Sequence, residues 1–194
     1  MPTIEKIKTL REETGVSLAD CKKALEATAG DIEKAKELLR KWGKELAGKK
    51  SGREVKDGII EVYLHPNKKV GVILDIRSES DFVAKSSDFQ FLAHEICLQI
   101  AAMKPRFVSS EDIPQDQLQK EKEIYEEQFK HSDKPKNVLD NIIKGKLEKY
   151  KEEISLLSQP WVKDSAKSIN SLLEEYIAKF GENIIVKKFE RFEI

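Results

Sequence analysis

The spacing of apolar residues changes at Gly58 from a helical repeat to a strand-like alternation. Before this point, apolar side chains recur every three or four residues, which places them on one face of a helix. After it they occupy every second position, which places them on one face of a strand. A chain that carries the two patterns in separate segments is predicted to fold as an α+β protein.

Three short helices are predicted within residues 1–42, which we interpret as a small N-terminal domain. Gly15 and Gly30 can adopt the left-handed backbone conformation that ends a helix, and Ser17 and Asp31 carry side chains that cap the start of the next helix. Each helix presents one apolar face to a common core. The apolar residues of the three repeats are Ile4, Ile7 and Leu10; Leu18, Cys21, Ala24 and Leu25; and Ile32, Ala35, Leu38, Leu39 and Trp42.

Residues 43–57 interrupt this pattern and are predicted to form a flexible linker to a core domain at residues 58–194. Three glycines lie there among four lysines and one arginine. The stretch from Gly43 to Ser51 comes close to the phosphate-binding loop of nucleotide-binding proteins. However, its hydroxyl arrives one residue late, and a helix rather than a strand precedes it. The linker is therefore not predicted to bind a nucleotide.

The alternating segment that follows is predicted to be a β-hairpin. In residues 60–64 and 70–76 apolar side chains recur at every second position, and a Pro-Asn pair supplies the turn. Residues 183–194 are rich in Ile, Val and Phe and are predicted to add a third antiparallel strand. Because a hairpin alone is marginally stable, an amphipathic helix over residues 86–103 is expected to pack on the sheet.

Three further amphipathic helices are predicted in the C-terminal half. Two of them, at residues 115–129 and 135–154, carry narrow apolar stripes and highly charged opposite faces. They have too few apolar residues to be buried on all sides, so residues 115–154 are predicted to form a projecting antiparallel helical hairpin. The last helix is expected at about residues 165–180 and ends at Gly181.

The composition argues against several classes of protein. The 35 Lys and Arg residues balance 35 Asp and Glu residues, so there is no net positive field of the kind that binds nucleic acid, although a local basic patch could still do so. No apolar run reaches the ~20 residues of a membrane span, and the N-terminus lacks the apolar core of a signal peptide. We therefore expect a cytoplasmic protein that binds neither nucleic acid nor membrane. Cys21 and Cys97 are far apart and are predicted to be free thiols.

No catalytic or metal-binding constellation can be read from the sequence. His65, His94 and His131 lack the paired spacing of zinc ligands, both among themselves and with the two cysteines. There is no nucleophile elbow, dinucleotide-binding glycine motif or zinc-protease helix motif. The residues thus predict no metal, no cofactor and no enzyme, and they favour a protein-binding module.

The connector Ser78–Ala84, between the second predicted strand and the helix at residues 86–103, allows two interpretations. In the first, Phe82 and Val83 pack under the sheet and Asp81 caps a helix. In the second, an aromatic residue next to a carboxylate is displayed at the end of a rigid strand, where binding residues tend to lie. Composition alone favours the first and leaves the second open.

Several motifs resemble the elongation factor Ts family. They occur in the family's order, extend over nearly the whole chain and fall on the elements predicted above. Ser80-Asp-Phe-Val-Ala84 resembles the family's Thr-Asp-Phe-Val motif. The other motifs are Leu10-Arg-Glu-Glu-Thr-Gly15, Asp20-Cys-Lys-Lys-Ala-Leu25, Gly30-Asp-Ile-Glu33, Lys134-Pro-Lys, Gly145-Lys, Ile154-Ser-Leu and Gln159-Pro160.

The resemblance implies a guanine-nucleotide exchange factor for elongation factor Tu, the GTPase that delivers aminoacyl-tRNA to the ribosome. The factor itself binds no nucleotide. By resemblance, Ser80, Asp81, Phe82 and Val83 insert near the partner's nucleotide and dislodge its magnesium ion. Phe82 is then the wedge, Asp81 fixes the local geometry and Val83 packs beside the wedge. Ser80 replaces the family's usual Thr and keeps its hydroxyl.

The resemblance also implies that the N-terminal domain is similar to ubiquitin-associated domains and contacts the GTPase domain of the partner. We expect Val16, Asp20, Lys22 and Lys23 to contribute to this contact. Because Cys21 takes the buried side of its helix, the two lysines are expected to point outward.

Longer members of the family carry two similar core halves, whereas this chain has only one. The resemblance therefore points to the short form, a symmetric homodimer that binds two copies of the GTPase. Two other hypotheses remain open. The chain could be a non-enzymatic helical adaptor that uses its N-terminal domain to recognise another protein, or an RNA-binding protein that uses the lysine-rich linker.

Overall fold

The computed structural model describes residues 2–130, 132 and 135–194, so that His131 and part of the Lys134-Pro-Lys motif lie outside the described residues. Within these ranges the chain has eight α-helices, a three-stranded antiparallel sheet and a separate two-stranded sheet. The α+β class is therefore confirmed. The helices are α1 (Ile4–Thr14), α2 (Leu18–Ala27), α3 (Ile32–Lys50), α4 (Asp81–Ala84), α5 (Ser87–Met103), α6 (Gln115–Gln128), α7 (Lys136–Ile154) and α8 (Ile169–Phe180). The strands are β1 (Asp57–Leu64), β2 (Val70–Ser78), β3 (Pro160–Trp161), β4 (Asp164–Ser168) and β5 (Ile184–Glu193).

The expected capping residues lie at the end of α1 and at the starts of α2 and α3, whereas α2 ends at Ala27 with Thr28 rather than Gly30 as its C-cap. Gly15 ends α1 with a φ of 68°. Ser17 Oγ accepts a hydrogen bond from the Asp20 amide at 3.1 Å, and Asp31 Oδ1 accepts one from the Lys34 amide at 3.1 Å. The buried core of the three helices consists of Leu10, Val16, Cys21, Ala24, Leu25, Ala35 and Leu39.

The apolar face expected on α2 is only partly buried. Cys21, Ala24 and Leu25 are buried, but Leu18 is 47% exposed. Leu18 is the first residue of the helix and stays at the edge of the core. The helical repeat predicted which face of α2 is apolar. It did not predict how far along that face the neighbouring helices cover it.

Helix α3 continues through the first part of the expected linker and ends at Lys50. Gly43, Ala47 and Lys50 recur at helical spacing and are all buried. A β-carbon at Gly43 would lie 3.1 Å from the β-carbon of Ala178 in α8. Residues 43–50 are therefore helix rather than linker, because packing against α8 outweighs the ~1 kcal/mol by which each glycine disfavours a helix. The division into domains at residue 42 stays a prediction.

The main sheet has the strand order β1-β2-β5, and every neighbouring pair is antiparallel. The predicted hairpin and third strand are thus confirmed. Val72, Leu74 and Ile76 of β2 point into the core, together with Ile184 and Val186 of β5. Helices α5 and α8 supply the other side of this core, where Phe89 and Ile96 are fully buried.

The two faces of β1 differ from a simple apolar-inward arrangement. Ile59 and Tyr63 pack against the core, whereas the alternating apolar residues Ile60, Val62 and Leu64 face outward and are 58–61% exposed. The register pairs Val62 with Ile73 of β2, which is also exposed. The apolar alternation in β1 therefore marks an uncovered outer face of the sheet.

Helices α6 and α7 lie side by side and run in opposite directions. Gln117 in α6 donates to the Tyr150 hydroxyl in α7 at 2.7 Å. Farther along α6, the ring of Tyr125 lies 5.1 Å from the Lys146 ammonium. Among the described residues of these two helices, Ile143 alone is buried.

Helix α8 begins later than expected, because residues 164–168 form strand β4. This strand pairs with β3, and Pro160 lies opposite Ser168. Gln99 of α5 secures the pair by accepting a hydrogen bond from the Val162 amide at 2.9 Å and donating one to the Pro160 carbonyl at 3.1 Å. These strands are only two and five residues long, too short for an alternating pattern to predict them.

Candidate functional site

Helix α4 follows strand β2 after two residues and carries the Asp-Phe motif. Val83 and Ala84 are each 4% exposed and belong to the main core, whereas Phe82 is 81% exposed. The interpretation in which Phe82 packs under the sheet is therefore wrong, and Val83 takes that place. The segment displays one large aromatic side chain to solvent on a backbone held by its neighbour.

Ser80, not Asp81, is the cap of this short helix. The Ser80 hydroxyl oxygen accepts a hydrogen bond from the Val83 amide at 3.4 Å. Asp81 instead accepts a hydrogen bond from the Lys85 ammonium at 2.7 Å, one helical turn later. The pairing with Lys85 lowers the pKa of the Asp81 carboxyl. Asp81 is therefore held ionised beside the exposed ring of Phe82.

A second carboxylate holds the segment from the opposite side. Glu182 lies in the turn between α8 and β5, and its Oε1 accepts a hydrogen bond from the Ser80 hydroxyl at 2.6 Å. Its Oε2 accepts a hydrogen bond from the Ser80 amide at 3.0 Å. The turn also donates to the segment after β2, because the Asn183 amide donates a hydrogen bond to Glu79 Oε1 at 2.6 Å. This last bond lowers the pKa of Glu79.

Glu79, Glu182 and Asn183 were not predicted to be functional residues. Ser80 and Glu182 are 102 positions apart, and no local pattern joins them. The only available signal was indirect. If the third strand pairs with β2, the residues just before it lie beside those just after β2, and the observed register pairs Ser78 with Ile184.

The expected N-terminal contact residues lie in or next to α2. Lys22 is exposed and forms an ion pair with Glu26 at 3.9 Å, and the Lys23 ammonium lies 5.1 Å from the centre of the Trp42 ring. Asp20 is exposed and accepts a hydrogen bond from Ser17 Oγ. These residues belong to the N-terminal helices, whereas residues 80–83 belong to the segment that packs on the main core.

Val16 differs from the other three expected contact residues. It is 9% exposed and packs in the core of the N-terminal helices. Its carbonyl accepts a hydrogen bond from the Cys21 thiol at 3.6 Å. Val16 therefore offers a partner little side-chain surface, and its contact role stays a prediction.

A cleft of about 760 Å³ lies elsewhere, between α3 and α8. Two ion pairs within the chain line it: Lys36 with Glu13 at 2.7 Å and Lys167 with Glu175 at 2.7 Å. Across residues 2–130, 132 and 135–194, no group of three or more His, Cys, Asp or Glu side chains is arranged to hold a metal ion. None of the described helices combines the length and apolarity needed to cross a membrane.

An apolar surface and a displayed aromatic ring are features of a protein that acts by docking on another macromolecule. The aromatic side chain of Phe82 can bury a large area at little conformational cost, because a phenylalanine has only two side-chain torsions. Its neighbour Val83 anchors the backbone in the core. The fold and this segment therefore define a partner-binding protein.

The comparisons with known proteins identify the family. The family model described as Elongation factor TS matches residues 13–194. Elongation factor Ts of Thermotoga neapolitana is 50% identical over 192 residues, covering 99% of this chain and 96% of the relative. Elongation factor Ts of Caldanaerobacter subterraneus is 46% identical over 193 residues, covering 100% of this chain and 96% of the relative. The chain belongs to the elongation factor Ts family and has its role in translation elongation, as a nucleotide exchange factor.

Proposed function

We propose that the chain promotes GDP release from elongation factor Tu by inserting Phe82 beside the partner's nucleotide. The observation that carries this proposal is the 81% exposure of Phe82 on a backbone anchored by buried Val83. Insertion displaces the elements that bind the nucleotide's magnesium ion. The chain acts by binding and carries out no chemical reaction on a substrate.

The free energy of burying Phe82 is similar in size to a typical coupling free energy between two ligands of one protein. Burial of a phenylalanine side chain in the partner contributes about 1.5 to 3 kcal/mol. Coupling between two ligands of one protein is typically about 1 to 3 kcal/mol, and it acts equally on both. One buried ring can therefore help to offset the displacement of the partner's magnesium-linked elements. Asp81 supports the wedge by holding Lys85 and the local backbone.

The N-terminal helices supply affinity in this proposal. We infer that they form a ubiquitin-associated-like domain and contact the GTPase domain through the exposed side chains of Asp20, Lys22 and Lys23, with Val16 beneath them. Helices α6 and α7 project from the core domain as a hairpin, which fits the burial of Ile143 alone among their described residues. We expect the protein to act in the cytoplasm, where translation takes place.

A homodimer completes the proposed assembly, with two copies of this chain binding two copies of the GTPase. The outer face of the three-stranded sheet supports it, since a sheet with one uncovered apolar face gains stability when that face is buried. The exposed apolar side chains on this face are Ile60, Val62, Leu64, Ile73 and Phe192.

Release of fluorescent GDP from elongation factor Tu tests the wedge. Phe82→Ala should lower the release rate at saturating factor, whereas Asp81→Ala should lower it less. Phe91→Ala is a matched control, because Phe91 is 54% exposed on α5 and outside the motif. An unchanged plateau rate with Phe82→Ala contradicts the wedge. Absence of any accelerated release by the unmodified chain favours the helical adaptor instead.

Light scattering over a dilution series tests the homodimer. The unmodified chain should have about twice the monomer mass of 22.2 kDa, and Val62→Glu should shift it to the monomer. Val138→Glu introduces the same change at an exposed position of α7 and should leave the mass unchanged. A monomer mass for the unmodified chain, with full exchange activity, would overturn the proposed assembly.

A further inference from the structure

The turn between α8 and β5 and the segment after β2 hold each other through reciprocal hydrogen bonds. Glu182 accepts both the amide and the hydroxyl hydrogen bonds of Ser80, and Glu79 accepts the amide hydrogen bond of Asn183. Hydrogen bonds to an ionised carboxylate are roughly twice as strong as those between neutral groups. Glu79 and Ser80 are thus joined to Glu182 and Asn183, and we call this set of hydrogen bonds the clamp.

This clamp acts on the backbone that presents Phe82. Helix α4 has only four residues, far fewer than a helix needs for stability on its own. At 81% exposure the ring of Phe82 has little packing of its own to orient it. The direction of its Cα–Cβ bond is set by the backbone, which is held at two points: buried Val83 on one side and Ser80 on the other.

Ser80 links Glu182 to helix α4 because its hydroxyl and carbonyl groups form hydrogen bonds with both. Its hydroxyl donates to Glu182 while accepting a hydrogen bond from the Val83 amide. Its carbonyl accepts hydrogen bonds from the Ala84 amide at 3.2 Å and from the Ser78 hydroxyl at 3.0 Å. Loss of Glu182 would leave the Ser80 side chain held only by its 3.4 Å hydrogen bond with the Val83 amide.

The same turn is tied to the end of α3. The Lys50 ammonium donates to the carbonyl of Gly181, and the Asn183 side-chain amide donates to the Arg53 carbonyl at 3.0 Å. Arg53 in turn donates to Glu79 Oε2 at 3.4 Å. The turn at residues 181–183 is therefore held by contacts that do not involve Ser80.

We propose that Glu182 is a positioning residue for nucleotide exchange: its carboxylate holds Ser80 so that the backbone of α4 directs the Cα–Cβ bond of Phe82 one way. This inference rests on the proposed role of Phe82. Glu182 itself contacts no part of the partner in this account, and its effect passes entirely through the ring of Phe82.

GDP release from elongation factor Tu, measured with the full chain over a range of factor concentrations, tests the positioning role. Glu182→Ala should lower the plateau rate by about tenfold, the scale of one lost charge-assisted hydrogen bond. Glu182→Gln keeps one acceptor oxygen and should give a smaller loss. Ser80→Ala should resemble Glu182→Ala, whereas Ser80→Thr keeps the hydroxyl and should retain the unmodified rate. Glu127→Ala, which removes an exposed carboxylate paired with Lys130 in the helical hairpin, is the control.

The double variant Phe82→Ala/Glu182→Ala separates positioning from general structural support. If Glu182 acts through Phe82, the second substitution should cause no further loss once the ring is absent. An equal further loss in the Phe82→Ala background overturns the proposal, and so does an unchanged plateau rate with Glu182→Ala. If Glu182→Ala does not fold, as judged by thermal unfolding, Glu182→Gln and Ser80→Ala carry the same comparison.

These outcomes also separate the inference from the function on which it rests. If Phe82→Ala alone leaves the plateau rate unchanged, the wedge itself is wrong and the positioning role falls with it. If Phe82→Ala slows release and Glu182→Ala does not, the wedge stands and only the positioning role is overturned. If the positioning role is correct, the amides of Phe82 to Ala84 should exchange hydrogen faster in Glu182→Ala than in the unmodified chain. The global stability of the protein should not fall.

Discussion

Gly43 of α3 and Ala178 of α8 are in such close contact that a β-carbon at position 43 would lie 3.1 Å from the Ala178 β-carbon. A second glycine makes a similar contact, since Lys179 packs over Gly15. Arg40 and Glu175 form an ion pair at 3.8 Å beside the first contact. The N-terminal helices are therefore packed against α8 rather than separated from it by a free linker.

We predict that Gly43→Leu destabilises the protein by about 1 to 3 kcal/mol, the usual range for overpacking a closely packed site. Gly48→Leu is the control because it lies in the same helix with open space around it. That change should be neutral or stabilising by up to ~1 kcal/mol through helix propensity. The free energy of unfolding in urea measures both, and equal effects would show that the contact with α8 does not hold α3 in place.

Charge reversal at Lys22 should weaken binding to elongation factor Tu. Lys22→Glu is expected to raise the factor concentration for half-maximal GDP release by about fivefold, the scale of one exposed ion pair. The plateau rate should stay unchanged, because the N-terminal helices supply affinity and Phe82 supplies the wedge. Lys149→Glu makes the same charge change on exposed α7. A lower plateau with unchanged half-saturation contradicts this division of roles.

The last strand should lose stability in acid through Glu193. Hydrogen bonds from Lys104 and Arg191 lower the pKa of the Glu193 carboxyl from 4.5 to about 2. Because the folded pKa lies below the unfolded value, the contribution of Glu193 to stability is present above about pH 4.5. It is lost as the pH falls toward 2.

Glu193→Gln should therefore reduce the pH dependence of the unfolding free energy between pH 5 and the acid limit. Urea titrations at several pH values measure this slope. Glu127→Gln, at the ion pair with Lys130, is the control for removal of a carboxylate. A slope that is identical in Glu193→Gln and the unmodified chain would show that the contacts with Lys104 and Arg191 do not persist in solution.

Both thiols should be unreactive in the folded protein. Cys21 and Cys97 are unpaired and fully buried. Burial raises the pKa of Cys97 to about 12, and it also raises the pKa of Cys21. Since the thiolate is the reactive form, Ellman's reagent at pH 8 should label neither residue until urea is added. Rapid labelling of one thiol without urea would show local opening of its core.

Much of the local structure could be predicted because its causes lie within a few residues. Ser17 and Asp31 cap the helices expected from their position, and Gly15 ends α1. Alternation at every second position predicted β1 and β2, and the Asp-Phe motif was recognised from adjacent residues. Caps, periodicity and short motifs depend on sequence neighbours, so they can be read without knowing what packs against them.

Other features depend on what each segment meets in three dimensions. Residues 43–50 are helical because Gly43 allows α8 to approach, and Ile60 and Val62 face outward because β1 is covered on its other side. The hydrogen bond from the Ser80 hydroxyl to Glu182 joins residues 102 positions apart. The amino-acid order alone thus determined most of the helices, the three strands of the main sheet and the motif that carries Phe82. Only the tertiary structure decided which faces are buried and what orients that ring, because burial and long-range hydrogen bonds are properties of pairs of segments.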